Sequence, residues 1–421
     1  MSRAGARAAL AVTALVWAGV VFRDSAPSQA VDALASPPVA QAAGHELLAA
    51  PPAESAEALE LSSGDLTLRV RRQPWAMEAR VGERVVFREL EAAGADTHYG
   101  TLGYQRAGQT GWSHLTALAQ AESIAGGQRL TAATSEGGAP AVVEVTSAQP
   151  GTLRVAFRPP PGAPIAWTVA TASSDEGETL LGLGERFDGI DLAGRRVELW
   201  SADRREVRYG DATYLPVPWL LSSRGFGFLL DDPRRSVWEM RSSRNDAWAV
   251  GVPGAGLAFV LVGGAPAQAI ERYTALTGRP PAPPAWGLGV VKTLVGGQAR
   301  VLEDAARLKA VGVPVDGVYV YDAHDEEAGV GWPHVTYDPI PAGPYGPLRP
   351  FTDALRQLGY RPLGYFGPDV RPQWAEYGRA LAAGALVRGP DGRPWTHPLY
   401  GISLIDATDP RAVDWWRTAP L

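Results

Sequence analysis

The chain has 421 residues, a formal net charge of −6 and no cysteine. This length suggests two to three domains of ~100–200 residues, and with 46% hydrophobic and 20% charged residues the chain cannot be disordered throughout. The acidic balance argues against a nucleic-acid partner. The absence of cysteine excludes disulfides, thiolate metal sites and a cysteine nucleophile.

The N-terminus has the pattern of a targeting segment. Two arginines precede the apolar run Ala8–Phe22, which is shorter than the ~20 residues that span a bilayer. Small side chains at Ser28–Ala30 suit a cleavage site. We predict a signal peptide over residues 1–30, a secreted or periplasmic protein and no stable membrane association after cleavage. An uncleaved anchor and a buried helix are the alternatives. The Ala/Pro-rich residues 31–60 are predicted to be a linker.

Residues 61–278 are predicted to form an antiparallel β-sandwich. Leu66, Leu68 and Val70 alternate with polar residues, which is the period of a half-buried strand. The segment Arg80–Phe87 predicts a hairpin with a tight turn at Gly82. Short strands separated by turn signals are typical of a sandwich. The further strands are predicted over Val142–Val145, Leu153–Phe157, Ile165–Val169, Gly225–Leu230 and Leu257–Leu261.

The Pro-rich residues 279–284 mark a boundary, and the pattern changes over residues 279–421. Predicted strands alternate there with predicted helices, which indicates parallel βα units. Three such units favour an incomplete (β/α)8 TIM barrel over a dinucleotide-binding fold. The strands are predicted over Trp286–Val291, Gly317–Tyr321 and Pro362–Phe366, and the helices over Gln298–Ala310, Phe351–Leu358, Trp374–Ala383 and Pro410–Arg417, the last with Asp409 as its N-cap.

No cofactor or metal site is predicted. The segment Gly182–Phe187 begins like a phosphate loop, but the third glycine is missing and the surrounding pattern is β. The six histidines do not fall at metal-ligand spacing.

The candidate binding residues stand where predicted barrel strands end. Asp322 follows the second of these strands and Asp369 the third. Active sites of such barrels form at the C-terminal ends of the strands, and a carboxylate there accepts hydrogen bonds from sugar hydroxyls. Asp325–Glu327 are interpreted as a solvated loop face. Indole rings that offer stacking surfaces, with packing as an equal alternative, are those of Trp332, Trp374 and Trp395.

Several short segments stand in an order and spacing that resemble one family. They are Leu181–Phe187, Leu199–Asp203, Thr277–Pro281, Pro284–Gly289, Gly312–Asp316 and Asp406–Pro410. Together they resemble glycoside hydrolase family 31, the α-glucosidase/α-xylosidase group, from about Leu180 to the end of the chain. The segment Lys292–Gly297 resembles the sulfoquinovosidase branch. His324 departs from the family pattern, since many members have a second acidic residue there.

The resemblance implies a galactose-mutarotase-like sandwich, a catalytic barrel and hydrolysis of an α-linked glycoside or oligosaccharide with retention of configuration. Two carboxylates ~5–5.5 Å apart perform such a reaction, and in the family both are aspartates, on the fourth barrel strand and near the sixth. Asp322 matches the family's aspartate that holds substrate hydroxyls, and Asp203 matches one on a sandwich loop that reaches the site. With Asp369 and Trp395 they form the predicted substrate-binding set.

The resemblance also sets an expectation for the end of the chain. Leu421 precedes a fourth predicted strand, and a whole barrel needs ~250 residues. We therefore expect an N-terminal portion of such an enzyme, without the catalytic pair and inactive alone. One alternative is a non-catalytic carbohydrate-binding or scaffold protein that uses the sandwich. Another is a different barrel enzyme, which would depend on Asp322 and Asp369.

Overall fold

The computed structural model describes residues 53–54, 57–186, 189–200, 213, 215–320, 348–364, 368–372, 375–397 and 401–418. The chain divides into two compact units between Arg279 and Pro280.

The first unit is built almost entirely from antiparallel strands. Its strands are β1 Ala53–Glu54, β2 Ala58–Ser63, β3 Leu66–Arg71, β4 Ala76–Val81, β5 Arg84–Arg88, β6 Gly103–Arg106, β7 Trp112–Ile124, β8 Gly127–Thr134, β9 Ala141–Thr146, β10 Thr152–Arg158, β11 Ile165–Ser173, β12 Leu180–Gly182, β13 Arg195–Leu199, β14 Trp219–Ser222, β15 Phe226–Leu230, β16 Ser236–Met240, β17 Ala247–Pro253 and β18 Leu257–Gly263. Helix α1 covers Pro266–Thr277.

These strands form two sheets. Strands β1 to β5 form a meander in chain order. The other sheet has 13 strands in the order β12-β14-β15-β18-β10-β9-β8-β7-β6-β11-β17-β16-β13. The long strand β7 joins its two halves, because its beginning pairs with β6 and the rest pairs with β8. Two register shifts interrupt the β7–β8 pairing, and such bulges bend a strand.

One hydrophobic core holds both sheets together. Leu66, Leu68 and Val70 of β3 are fully buried, whereas Thr67 and Arg69 between them are half-buried. They share the core with aromatic side chains of the larger sheet, including Phe228, which stacks on Phe259 with 4.6 Å between ring centroids. The period-two pattern therefore predicted the buried face correctly, and the predicted antiparallel β domain is confirmed.

The second unit begins with alternating strands and helices. A short 3-10 helix covers Ala285–Leu288, followed by β19 Val291–Leu294, α2 Gln298–Ala310, β20 Gly317–Val320, α3 Leu348–Gln357, β21 Arg361–Gly364, β22 Asp369–Val370, α4 Ala375–Ala382, β23 Ser403–Leu404 and α5 Pro410–Thr418. Strands β19, β20 and β21 form a parallel sheet in this order. Strands β22 and β23 pair antiparallel.

Helical periodicity explains how α2 and α3 pack in the second unit. Val301 and Ala305 lie one turn apart on α2 and are buried against Val318 of β20 and Phe351 of α3. Residues four apart share one face of a helix, so the apolar stripe that predicted α2 is the face that packs.

One predicted strand was wrong in its position. The segment Trp286–Val291 was predicted as a strand, but a 3-10 helix occupies Ala285–Leu288 and the strand begins only at Val291. The backbone N–H of Gly287 donates to the carbonyl of Pro284 at 2.8 Å. Proline has a fixed φ that suits the start of a helical turn, and this local preference outweighs the apolar run.

Throughout the described ranges, no helix is both long and apolar enough to cross a membrane.

Candidate functional site

Two of the four predicted binding residues, Asp322 and Asp203, lie outside the described residues, as do Trp332 and Trp374. The other two, Asp369 and Trp395, are described and belong to the second unit.

Asp369 lies on the short strand β22, opposite Leu404 of β23. The next residue, Val370, is fully buried in a small core with Ala380 of α4 and Ala412 of α5. Because successive residues of a strand point to opposite faces, burial of Val370 turns Asp369 to the other face of this two-stranded sheet.

Trp395 lies on the other side of β23. Its neighbour Thr396 forms a bridge with Ser403, and their hydroxyl oxygens are 3.0 Å apart. Ser403 also pairs with Val370. Asp369 precedes Val370, and Trp395 precedes Thr396. Val370 and Thr396 both pair with Ser403, so the two segments flank strand β23. The structure thus brings these two predicted residues into one small sheet.

The environment of the Asp369 carboxyl differs from that of a surface aspartate. Burial raises its pKa to about 6, and the nearby charge of Arg371 opposes that increase. At neutral pH the group is ionised and poorly solvated. A carboxylate in this state forms stronger hydrogen bonds to a hydroxyl donor than one in bulk water.

Arg371 has a charge that acts on Asp369 and is not among the residues predicted from the sequence. It lies two residues after Asp369, and residues i and i+2 of an extended segment share a face. This spacing was therefore a signal from which Arg371 could have been predicted to lie near Asp369. The Trp395 ring is not isolated either, since the His397 ring meets it edge-on with 5.6 Å between centroids.

No metal centre accompanies these residues in the described part of the chain. That part contains no group of three or more histidine, aspartate or glutamate side chains placed to hold an ion. The chemistry available to Asp369 and Trp395 is hydrogen bonding by a carboxylate and stacking by an indole ring. Both are means of recognising a sugar.

Comparisons with known proteins find relatives among the glycosidases. The alpha-xylosidase XylQ of Lactiplantibacillus pentosus is 27% identical over 251 residues, which are 57% of this chain and 32% of the relative. The sulfoquinovosidase of Agrobacterium fabrum is 25% identical over 281 residues, 59% of this chain and 40% of the relative. The chain thus spans about a third of the length of these enzymes.

Solved structures share the fold. A glycosyl hydrolase 31 sulfoquinovosidase from E. rectale matches with a TM-score of 0.67 at 16% identity, over 83% of this chain and 56% of that one. The Flavobacterium johnsoniae dextranase matches with a TM-score of 0.55 at 17% identity, over 89% of this chain and 46% of that one.

The family model for the glycosyl hydrolase 31 N-terminal galactose mutarotase-like domain matches residues 21–239, which is just over half of the chain. The chain belongs to glycosyl hydrolase family 31.

Proposed function

We propose that the chain acts as part of a glycosidase that hydrolyses an α-linked glycoside. The observation that carries this proposal is the match of the family model to residues 21–239. It is supported by the relatives, whose names include alpha-xylosidases, alpha-glucosidases and a sulfoquinovosidase. The resemblance seen in the sequence implies a retaining reaction, with one carboxylate as nucleophile and one as general acid/base.

The second unit is proposed to be the opening of the (β/α)8 barrel. Its strands β19, β20 and β21 are parallel and in chain order, and α2 lies between the first two. The likeness to the sulfoquinovosidase covers 83% of this chain, which is more than the first unit contains. In such barrels the substrate binds at the C-terminal ends of the strands.

Asp322, Asp203, Asp369 and Trp395 are proposed to bind the substrate. Support comes from position for Asp322, which follows β20 by two residues in the sequence. For Asp369, support comes from its partly buried carboxyl. For Trp395, it comes from the position of this residue on a segment beside strand β23, which also pairs with the strand of Asp369. Export from the cytoplasm, proposed from residues 1–30, would bring the protein to external glycosides.

A binding measurement tests this proposal on the 421-residue chain. Isothermal titration calorimetry with methyl α-xyloside and methyl β-xyloside is expected to show tighter binding of the α anomer. Asp369→Asn is expected to weaken that binding about tenfold, because a hydrogen bond to a charged acceptor is exchanged for one to a neutral amide.

The matched control is Asp391→Asn, which makes the same chemical change in an exposed turn of the second unit where Asp391 accepts a hydrogen bond from the Arg393 backbone. This variant is expected to leave the affinity unchanged. Equal affinity for the two anomers, or equal effects of the two substitutions, would contradict the proposal. The carbohydrate-binding alternative has a specific feature of the first unit in its favour, a cleft lined by Trp112 and Trp167.

A further inference from the structure

A cleft of about 230 Å³ opens on the outer face of the larger sheet of the first unit. Strands β6, β7, β11, β13, β16 and β17 supply its walls. On β16, Trp238 and Met240 point into the hydrophobic core, whereas Val237 and Glu239 line the cleft. The cleft is therefore separate from the core and open to solvent.

One side of the cleft carries a row of two indole rings with an amide between them. Gln105 of β6 pairs with Trp112 of β7 on one side and with Trp167 of β11 on the other. Cross-strand partners share a face of the sheet, and neighbouring strands lie ~4.8 Å apart. The two half-buried tryptophans therefore stand roughly 10 Å apart, on either side of the Gln105 amide.

The polar side of the cleft is held in place by hydrogen bonds. The hydroxyl of Tyr99 donates to Oε2 of Glu239 at 2.7 Å, and Nε2 of His98 donates to the same oxygen at 3.2 Å. Tyr99 is buried, with its ring centroid 4.4 Å from that of His98. The side chains of His98 and Glu239 remain 30% and 17% exposed. These polar atoms are thus fixed in position and still reachable from solvent.

The charges of the cleft balance. Arg196 lies directly opposite Glu239 in the β13–β16 register, its residue is exposed, and no ion pair of its guanidinium is seen among the residues that the structure describes. Val169, Ala249 and Gly251 add uncharged surface to the lining of the cleft. One carboxylate and one guanidinium beside this surface favour a compact neutral ligand with many hydroxyls over a strongly charged one.

We propose that this cleft binds one pyranose ring of a neutral sugar, with an apolar ring face on Trp112 or Trp167 and the hydroxyls bonded to Glu239, Arg196 and Gln105. The volume suits one ring, since it lies below the ~300–1,000 Å³ of sites for larger ligands. An indole offers a flat apolar surface, and the charged groups give the stronger hydrogen bonds. The proposal is independent of the substrate binding proposed for Asp369 and Trp395 of the second unit.

The polar groups suit binding better than proton transfer. Hydrogen bonds from His98 and Tyr99 lower the pKa of Glu239 to about 2, although burial opposes that shift. A general base works best when its pKa is close to the working pH. Glu239 is therefore a permanent acceptor for a sugar hydroxyl.

Calorimetric titration of the 421-residue chain with D-xylose, D-glucose and D-galactose tests this site. At least one sugar is expected to bind, and Glu239→Gln is expected to weaken its binding about tenfold. The matched control is Glu144→Gln, since the Glu144 side chain is also 17% exposed but is paired with Arg129 and Arg158 on β8 and β10. The control is expected to keep the wild-type affinity.

A second variant fills the cleft without removing a hydrogen bond. A Cβ added at Gly251 would lie 3.6 Å from the Trp167 ring, an ordinary contact distance. Gly251→Ala is therefore expected to fold normally and to weaken binding severalfold. This variant keeps the test decisive if Glu239→Gln unfolds. The proposal is wrong if no sugar binds at tens of millimolar. It is also wrong if the Gly251→Ala variant binds the sugar with wild-type affinity. Loss of sugar binding in the Asp369→Asn variant would contradict it as well, because that residue lies in the second unit.

Discussion

Glu89 has its carboxyl group enclosed in the hydrophobic core of the first unit, with 3% of its surface exposed. It accepts hydrogen bonds from the indole N–H of Trp75 at 3.0 Å and from the backbone N–H groups of Met77 and Leu102 at 2.9 and 2.6 Å. These bonds tie β4 to the segment that leads into β6. Burial raises the pKa of Glu89 to about 8 even though the three donors act in the opposite direction.

This shift predicts a stability that depends on pH. The folded chain holds the Glu89 proton with a pKa of about 8, against 4.5 for an unperturbed glutamate. Because the folded state binds the proton more tightly, the free energy of unfolding is expected to fall as the pH rises from about 4.5 to about 8, by about 1 kcal/mol per pH unit. Urea unfolding of the chain, followed by tryptophan fluorescence across this range, measures the slope.

Glu89→Gln is expected to remove that slope, since its amide does not titrate. Glu83→Gln makes the same substitution at an exposed position in the turn between β4 and β5, and this variant is expected to retain the slope. Parallel pH profiles for the wild type and Glu89→Gln would show that another group is responsible.

At the level of elements, the sequence predicted those structures that a local pattern defines. The hairpin of β4 and β5 turns at Gly82, whose φ is +57°, and α2 follows its apolar stripe. Long-range pairings were not predictable in this way. Strand β10 pairs with β18, joining Leu153 to Leu261, because their apolar faces complete one core and no local signal links them.

The same limit applied to the candidate sites. Asp369 and Trp395 were identified by residue type and by position after a strand, but the two-residue strands that bring them together are too short to show a period. The cleft residues His98 and Glu239 are 141 positions apart and belong to elements that the sequence presents only as ordinary loop and strand. Only the packing of distant segments brings the residues of such a site together.

Gly227 of β15 is required by the way α1 packs on the sheet. A Cβ at this position would come within 1.9 Å of the Trp219 ring. That ring stacks on Tyr273 of α1, with 4.3 Å between centroids. The missing side chain therefore makes room for the aromatic pair that holds the helix.

Gly227→Ala is expected to displace Trp219 and lower the stability by about 1–3 kcal/mol, or the Tm by roughly 3–10 °C. Gly177→Ala is the control, because a Cβ there would meet nothing within 4 Å. Differential scanning calorimetry compares the two variants. An unchanged Tm for Gly227→Ala would mean that the indole moves at no cost.

For the whole molecule, the two units differ in how well they cover their apolar residues. The first has one large core that joins two sheets, whereas the second has small separate cores. Most of the large hydrophobic side chains that are exposed in the described ranges belong to the second unit. These are Leu288, Val290, Val291, Val295, Val311, Val313 and Leu381.

Strand β19 is the part of this surface with the greatest tendency to associate. It lies at the edge of the three-stranded parallel sheet, and its first residue, Val291, is 43% exposed. An exposed apolar edge strand offers free N–H and C=O groups and a template for another chain. We therefore expect the 421-residue chain to self-associate as its concentration rises.

Val291→Lys is expected to suppress that association, because a charge on an edge strand opposes pairing with a second edge. Sedimentation velocity over a range of concentrations measures the effect. Ile270→Lys is the matched control, since Ile270 is 44% exposed but lies on α1 of the first unit. If both lysines raise solubility equally, added charge alone explains the gain. If only Val291→Lys keeps the chain monomeric, the edge of β19 is the surface through which copies meet.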